Sequence, residues 1–378
     1  MKLISAALGP RKALLLLVLS INVLVLAGCT GQVRGWAGPA IADNTAYIVT
    51  PDGKLLSLNL EARSRGEPFP SAKEWQFPAE KDKKLGPAYA APIVHNDTIY
   101  LGSYGNQNEG KLYAIQASTG GLQWQFPPQG AVGNIVGTPK VVDKTVYIGS
   151  SDYNVYALDA SSGELKWRFK AGNKVWAGVV TDENGTVFVA SLDHKVYALD
   201  QETGERKWVF QTNGAIASAP LYAKGVLYFG SADGKLYAVD AATGQKQWDY
   251  DAESWIWGTP LLDRGTLYVA SLKNDVYALD ATSGRPKWPE PGRTGGSISA
   301  APVLVAGVLA IAAQDGRVYG FDPATGLGKW TYTAEPKAEI FASVVSDKDM
   351  LYVMPFNNRL IALDGNTGTP KWVFTTAN

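Results

Sequence analysis

Short apolar runs, separated by polar turns, recur along most of the chain. In residues 150–169 the run "VYALD" is almost continuously apolar and does not alternate, which predicts a strand buried on both faces. The run "TVYIGS" precedes it, and a turn ending in Gly163 and then Trp167 follow it. A stretch of small residues stands before both runs. The pattern therefore predicts a unit of four strands, A to D, joined by tight turns.

The unit occurs eight times, at a period typical of one four-stranded propeller blade. Its tryptophans lie 40 to 49 residues apart and are Trp75, Trp124, Trp167, Trp208, Trp248, Trp288, Trp330 and Trp372. The sequence therefore predicts an all-β fold, an eight-bladed β-propeller of four-stranded antiparallel blades over residues 36–378. Because every copy runs from strand A to strand D, we expect the ring to close by packing blade 8 on blade 1, without an exchanged strand.

The recurring Asp and Trp residues could suggest chemistry, but their repetition favours a structural role. An Asp ends strand C just before a turn, where its carboxylate can accept hydrogen bonds from the following N–H groups. Each Trp adds a large buried area and one N–H donor, so we expect it to wedge between neighbouring blades. The sequence predicts no catalytic residue and no metal ligand. The Asp residues are Asp159, Asp200, Asp240, Asp280, Asp322 and Asp364.

The N-terminal segment predicts an export signal. Three basic residues come before the uncharged stretch 13–28, which is short for a transmembrane helix but typical of a signal peptide over residues 1–28. The stretch ends in "LAGC", which resembles the lipobox of bacterial lipoproteins and predicts lipidation of Cys29. Residues 29–35 then form a short tether. The residue after Cys29 is Thr30 and not Asp, which favours the outer membrane if the organism has one.

Composition and charge exclude several classes of protein. The formal net charge is zero, and a product beginning at residue 29 has 32 basic against 35 acidic residues, a net charge of −3. No basic stripe indicates a nucleic-acid partner. Cys29 is the single cysteine, so one chain cannot contain a disulfide framework or a cysteine zinc site. His95 and His194 are the two histidines, which gives little support for histidine chemistry.

The repeat "VYALDAxTGxxxW" resembles that of pyrroloquinoline-quinone enzymes and their non-catalytic relatives. For the enzymes, the resemblance implies a quinone cofactor and a calcium ion held by Glu, Asn and Asp. Many of these enzymes stack the quinone on a disulfide between adjacent cysteines, which this chain lacks, and their calcium ligands cannot be placed here. The better resemblance is to the β-propeller lipoproteins of the outer-membrane β-barrel assembly machinery, which implies a scaffold and no cofactor.

The repeats differ most at the residue before strand A, and we expect function there. Across blades 1 to 8 this residue is Trp36, Tyr89, Val136, Trp176, Ala217, Trp257, Ser299 and Phe341. Trp255 lies two residues before Trp257, on the same side of an extended segment. The six aromatic residues Trp36, Tyr89, Trp176, Trp255, Trp257 and Phe341 are therefore predicted to line one mouth of the channel. They either plug the ring or bind a peptide or ligand.

These patterns favour a membrane-anchored, non-catalytic scaffold or protein-binding lipoprotein, with envelope protein assembly as its context. We expect a monomeric propeller outside the cytoplasm, with a protein or peptide partner and a membrane bound through Cys29. It lies on the outer membrane facing the periplasm or, where there is one membrane, on its outer face. A quinone-dependent alcohol or sugar dehydrogenase is one alternative. A carbohydrate-binding or sensor module, with the aromatic residues stacking on sugars, is another.

Overall fold

The computed structural model describes residues 35–80, 83–105 and 108–376. The predicted signal peptide, Cys29 and the tether up to residue 34 lie outside the described residues. Within the described parts, no helix is long and apolar enough to cross a membrane.

The described residues form eight four-stranded antiparallel sheets, and each sheet contains four strands that are consecutive in the chain. The strands of blades 1 to 4 are β1 (Ala40–Ala42), β2 (Thr45–Val49), β3 (Leu55–Asn59), β4 (Trp75–Phe77), β5 (Ile93–His95), β6 (Thr98–Gly102), β7 (Leu112–Gln116), β8 (Leu122–Phe126), β9 (Lys140–Val142), β10 (Thr145–Gly149), β11 (Asn154–Asp159), β12 (Leu165–Lys170), β13 (Val180–Thr181), β14 (Thr186–Ser191), β15 (Lys195–Asp200) and β16 (Arg206–Gln211).

Blades 5 to 8 follow the same order. Their strands are β17 (Leu221–Ala223), β18 (Val226–Gly230), β19 (Lys235–Asp240), β20 (Lys246–Asp251), β21 (Leu261–Asp263), β22 (Thr266–Ala270), β23 (Asp275–Asp280), β24 (Gly292–Arg293), β25 (Val303–Val305), β26 (Val308–Ala313), β27 (Arg317–Phe321), β28 (Gly328–Thr333), β29 (Val345–Asp347), β30 (Met350–Val353), β31 (Arg359–Asp364) and β32 (Pro370–Thr375). The eight-bladed propeller predicted from the sequence is confirmed.

Burial follows the apolar runs of the sequence. Strands B and C are almost wholly buried: all six residues of β14 are buried, and so are the four apolar residues at the centre of β15. Strand D is mostly exposed on its outer side, as in β16. Each hydrophobic cluster combines neighbouring blades, because one face of strands B and C packs on the preceding sheet and the other on the following sheet.

The tryptophans wedge between blades, as predicted. The Trp167 ring is buried, and its Nε1 donates a hydrogen bond of 3.0 Å to the carbonyl oxygen of Gln201 in the next blade. The same bond joins Trp75 to Ala117, Trp124 to Ala160, Trp208 to Ala241, Trp248 to Ala281 and Trp288 to Pro323. Asp159 also has its predicted role: its Oδ1 accepts bonds from the N–H groups of Ser161 and Ser162.

The ring closes between blades 8 and 1. Leu56 and Leu58 of blade 1 pack in one buried cluster with Tyr352 and Leu360 of blade 8. No sheet of the described propeller mixes strands from the two ends of the chain. Closure by packing, without an exchanged strand, is therefore confirmed.

Two blades depart from the repeat. In blade 1 a short helix, α1 (Leu60–Ser64), follows strand C, and the side chain of Asn59 accepts the Ala62 N–H at its start. In blade 6, strand D is reduced to β24, and Trp288 lies ahead of that strand instead of inside it. Pro289 and Pro291 fall in the missing part, and proline has no N–H for the ladder.

Candidate functional site

The candidate site lies where the connection from strand D of one blade enters strand A of the next blade. Inner segments of neighbouring blades touch one another there. The Ala37 N–H donates a bond of 3.2 Å to the carbonyl oxygen of Ala88. A Cβ on Gly137 would lie 2.4 Å from the carbonyl oxygen of Ala177, so this approach requires glycine. The side chains just before strand A are thus held side by side around the wall.

Five aromatic rings form a continuous chain of contacts across blades 8, 1 and 2. Phe356 contacts Phe341 with ring centroids 6.1 Å apart, and Phe341 contacts Trp36 at 5.3 Å. Trp36 contacts Tyr89 at 4.3 Å, and Tyr89 contacts Tyr104 at 4.6 Å. We call these five residues the aromatic arc. It spans the point where the ring closes.

Trp36 is the solvent-facing member of the aromatic arc, with 36% of its surface exposed, whereas the other four are half-buried. Burial, and then the neighbouring Tyr104, raise the pKa of Tyr89 above its usual range. The phenol of Tyr89 is therefore neutral at any physiological pH and keeps its O–H as a hydrogen-bond donor. Beside Trp36 a small apolar cleft opens between blades 8 and 1, lined in part by Val49, Pro51 and Met354.

Trp176 occupies the equivalent position in blade 4 but makes different contacts. Its Nε1 donates a bond of 2.9 Å to Oγ of Ser151, and the ammonium of Lys174 lies 5.3 Å from its ring centroid. That distance is within the range of a cation–π interaction. Trp176 is half-buried, and these two contacts fix the orientation of its ring.

Trp255 and Trp257 form a third group, with ring centroids 4.9 Å apart. The Nε1 of Trp255 is buried and has no hydrogen-bond partner in the described part of the chain. Among the residues that the structure describes, ring contacts thus divide the six predicted residues into the aromatic arc, Trp176 and this pair.

Tyr104 and Phe356 were not predicted as site residues. Both follow strand B, in the turn that leads to strand C, and not the start of strand A. This turn reads Ser-Ser-Asp at residues 150–152 and Ser-Ala-Asp at residues 231–233, and its third residue is Asp in five of the eight copies. An aromatic residue in place of that pattern was the signal that could have identified them.

The eight positions before strand A do not suit a calcium ion. Calcium prefers six to eight oxygen ligands. Of the eight residues before strand A, Ser299 offers a hydroxyl and Tyr89 a phenol, and no carboxylate is present. In the described ranges, no group of three or more His, Cys, Asp or Glu side chains is placed to hold a metal ion.

Among the solved structures that share the fold are the following two. BamB from Moraxella catarrhalis is 21% identical with a TM-score of 0.64, and the match covers 75% of this chain and 84% of that one. The computationally designed Ika8 protein is 15% identical with a TM-score of 0.71, and the match covers 92% of this chain and 98% of that one. At sequence identities this low, the structural similarity is evidence for the fold alone. None of the curated proteins matches the chain.

The sequence also matches a family that is described as outer membrane protein assembly factor BamB. Three overlapping segments match, residues 71–175, 151–254 and 251–378. Together they cover the chain continuously from residue 71, which is well over half of its length. The chain therefore belongs to the PQQ_2 family of outer membrane protein assembly factor BamB.

Proposed function

We propose that this protein is a non-catalytic scaffold of the cell envelope that binds a protein partner through the aromatic arc. The observation that carries the proposal is the chain of five contacting rings, with Trp36 partly exposed beside an apolar cleft. Clustered aromatic anchors dominate the binding energy of many protein interfaces. Membership of the BamB family supports a role in the assembly of outer-membrane proteins.

We also propose that Cys29 is lipidated and anchors the propeller outside the cytoplasm, on the outer membrane where the host has one. Residues 30–35 separate Cys29 from Trp36, and six residues reach at most about 20 Å. The aromatic arc would then lie close to the membrane surface. The partner that fits this geometry is a protein held at the same membrane.

Site-specific photocrosslinking in the native host tests whether a protein partner contacts the aromatic arc. A photoreactive amino acid replaces Trp36 in one strain. In another it replaces, as a matched control, Leu327, an apolar residue that is 70% exposed in the turn before strand D of blade 7. We expect a defined adduct with an envelope protein from position 36 alone. Identical adducts from both positions, or none from position 36, would contradict the proposal.

Two further experiments test the anchor and the absence of catalysis. Metabolic labelling with palmitate should label the wild-type protein and not a Cys29→Ser variant. Purified protein mixed with the quinone and calcium should acquire no chromophore and should not oxidise alcohols with a dye acceptor. Bound chromophore with activity would replace the scaffold by the quinone-dependent dehydrogenase.

A further inference from the structure

A second concave site lies between blades 6 and 7, at the opposite end of the propeller from the aromatic arc. It has a volume of about 480 Å³, which is within the usual range for binding sites. Tyr268 and Trp288 form its floor, and both donate hydrogen bonds to the carbonyl oxygen of Pro323. The turns between strands A and B of blades 6, 7 and 8 form its rim. We call it the blade 6–7 groove.

The groove lies where blade 7 lacks a hydrogen bond that every other blade makes. In those seven blades the residue that follows strand C donates its N–H to the carbonyl oxygen of the last residue before strand B. The pairs are Leu60 to Asn44, Ala117 to Asp97, Ala160 to Lys144, Gln201 to Gly185, Ala241 to Gly225, Ala281 to Gly265 and Gly365 to Asp349. In blade 7 the donor position is Pro323, which has no N–H. The carbonyl oxygen of Gly307 therefore lacks this donor, and Gly307 is exposed in the wall of the groove.

The rim of the groove is positively charged. Arg264, Lys287 and Lys348 line it together with the carboxylate of Asp263, and the carboxylate of Asp280, outside the lining, interacts electrostatically with Lys287. The Arg264 side chain is 92% exposed, and its Nε lies 3.5 Å from Oδ2 of Asp263. The Lys287 ammonium donates to Oγ1 of Thr266 at 2.8 Å and is exposed. The lining thus carries a net charge of +2 around a backbone acceptor.

We propose that the blade 6–7 groove binds an acidic, extended segment of a partner protein. One backbone N–H of the segment donates to the carbonyl oxygen of Gly307, in place of the N–H that Pro323 lacks. Its carboxylates face Arg264 and Lys348. An extended chain suits this arrangement because alternate side chains point to the same side. This contact is separate from the aromatic arc, so it can hold whether or not the arc binds a partner.

The test uses a fluorescein-labelled peptide of alternating glutamate and serine, with an alternating glutamine and serine peptide as its neutral match. Fluorescence anisotropy should show binding of the acidic peptide to the purified propeller, weakened by salt, and no binding of the neutral peptide. The double variant Arg264→Gln/Lys348→Gln should bind roughly fivefold to tenfold more weakly. Its matched control, Lys144→Gln/Lys224→Gln, removes two charges from A–B turns of blades 3 and 5 and should bind like the wild type.

The variant Pro323→Ala tests the backbone contact without changing any charge. Its N–H should bond to Gly307, as Ala281 bonds to Gly265, and the acidic peptide should bind about fivefold more weakly. Unchanged affinity in this variant, equal loss in the two double variants, or equal binding of both peptides would overturn the proposal. Displacement of the acidic peptide by vesicles of anionic phospholipid would also overturn it and assign the groove to a membrane surface.

Discussion

Gly204 lies flat against the indole of Trp167, so closely that a Cβ on Gly204 would come within 2.7 Å of the ring atoms Cδ2 and Cε3. The same pairing joins the C–D turn of a blade to the Trp of the blade before it in seven blade pairs. The glycine and the tryptophan are therefore two halves of one contact between blades. Since the glycine also has a positive φ of 74°, two separate requirements exclude a side chain there.

The cost of the positive φ and the cost of the contact with the Trp167 ring can be measured separately. Gly204→Ala introduces both, and the control Gly185→Ala introduces the first alone. Gly185 has the same φ of 74° but nothing within 4 Å of its position for a Cβ. Gly185→Ala should lower the free energy of unfolding by about 1 kcal/mol through the backbone alone. Gly204→Ala should lower it by about 2 kcal/mol more, because the Trp167 ring must move. Urea unfolding measures both, and equal losses would show that the ring yields without cost.

The hydrogen bond of the wedging tryptophan can be isolated by comparing two half-buried rings. The Nε1 of Trp208 donates to the carbonyl oxygen of Ala241 at 3.0 Å, whereas the buried Nε1 of Trp330 has no partner among the described residues. Trp208→Phe and Trp330→Phe remove similar ring volume. We expect the first to cost about 1 kcal/mol more in the free energy of unfolding, because only it removes a hydrogen bond. A larger loss for Trp330→Phe would contradict this assignment.

The repeated parts of the fold could be predicted because the chain contains eight copies of the blade. Residues that recur in most copies can be assigned to folding, and residues that differ among the copies cannot. Trp167 and Asp159 could be assigned to packing and to a turn for that reason. Tyr104 and Phe356 could not be found in the same way, because both occupy turns whose sequences break the common frame. Their contacts with Tyr89 and Phe341 join segments that are distant in sequence, and no local pattern reports such contacts.

Blade 1 contains a second feature that the sequence repeat does not predict. Its strand C is followed by α1, and Arg63 in this helix forms an ion pair with Glu74, with side-chain exposures of 3% and 0%. The Arg63 guanidinium also lies 5.3 Å from the centroid of the Phe374 ring in blade 8. From the sequence, these charges resemble ordinary surface residues. When the ring closes, strand D of blade 8 packs on this helix.

Removing one member of this buried pair should therefore destabilise the closure. Glu74→Gln removes the charge that faces Arg63 and weakens an acceptor of the Asn59 and Ser71 N–H groups. We expect a loss of about 3 kcal/mol in the free energy of unfolding. The control Glu61→Gln breaks an exposed pair with Arg65, with side-chain exposures of 65% and 54%, and should change stability by less than about 0.5 kcal/mol. Similar small effects for both variants would show that the buried pair does not hold the ring closed.

The turn carboxylates predict how stability depends on pH. The Ser161 hydroxyl and the backbone N–H groups lower the pKa of Asp159 to about 2, below its ordinary value of about 3.9. A carboxylate with a lowered pKa stabilises the fold above its unfolded pKa, and this contribution is lost as the pH falls through the folded pKa. Asp159→Asn should therefore melt at a lower temperature than the wild type at pH 7, and the difference should narrow between pH 4 and pH 2. Thermal unfolding followed by circular dichroism across this range measures the difference in melting temperature. If that difference does not change with pH, the charge of Asp159 does not stabilise the turn.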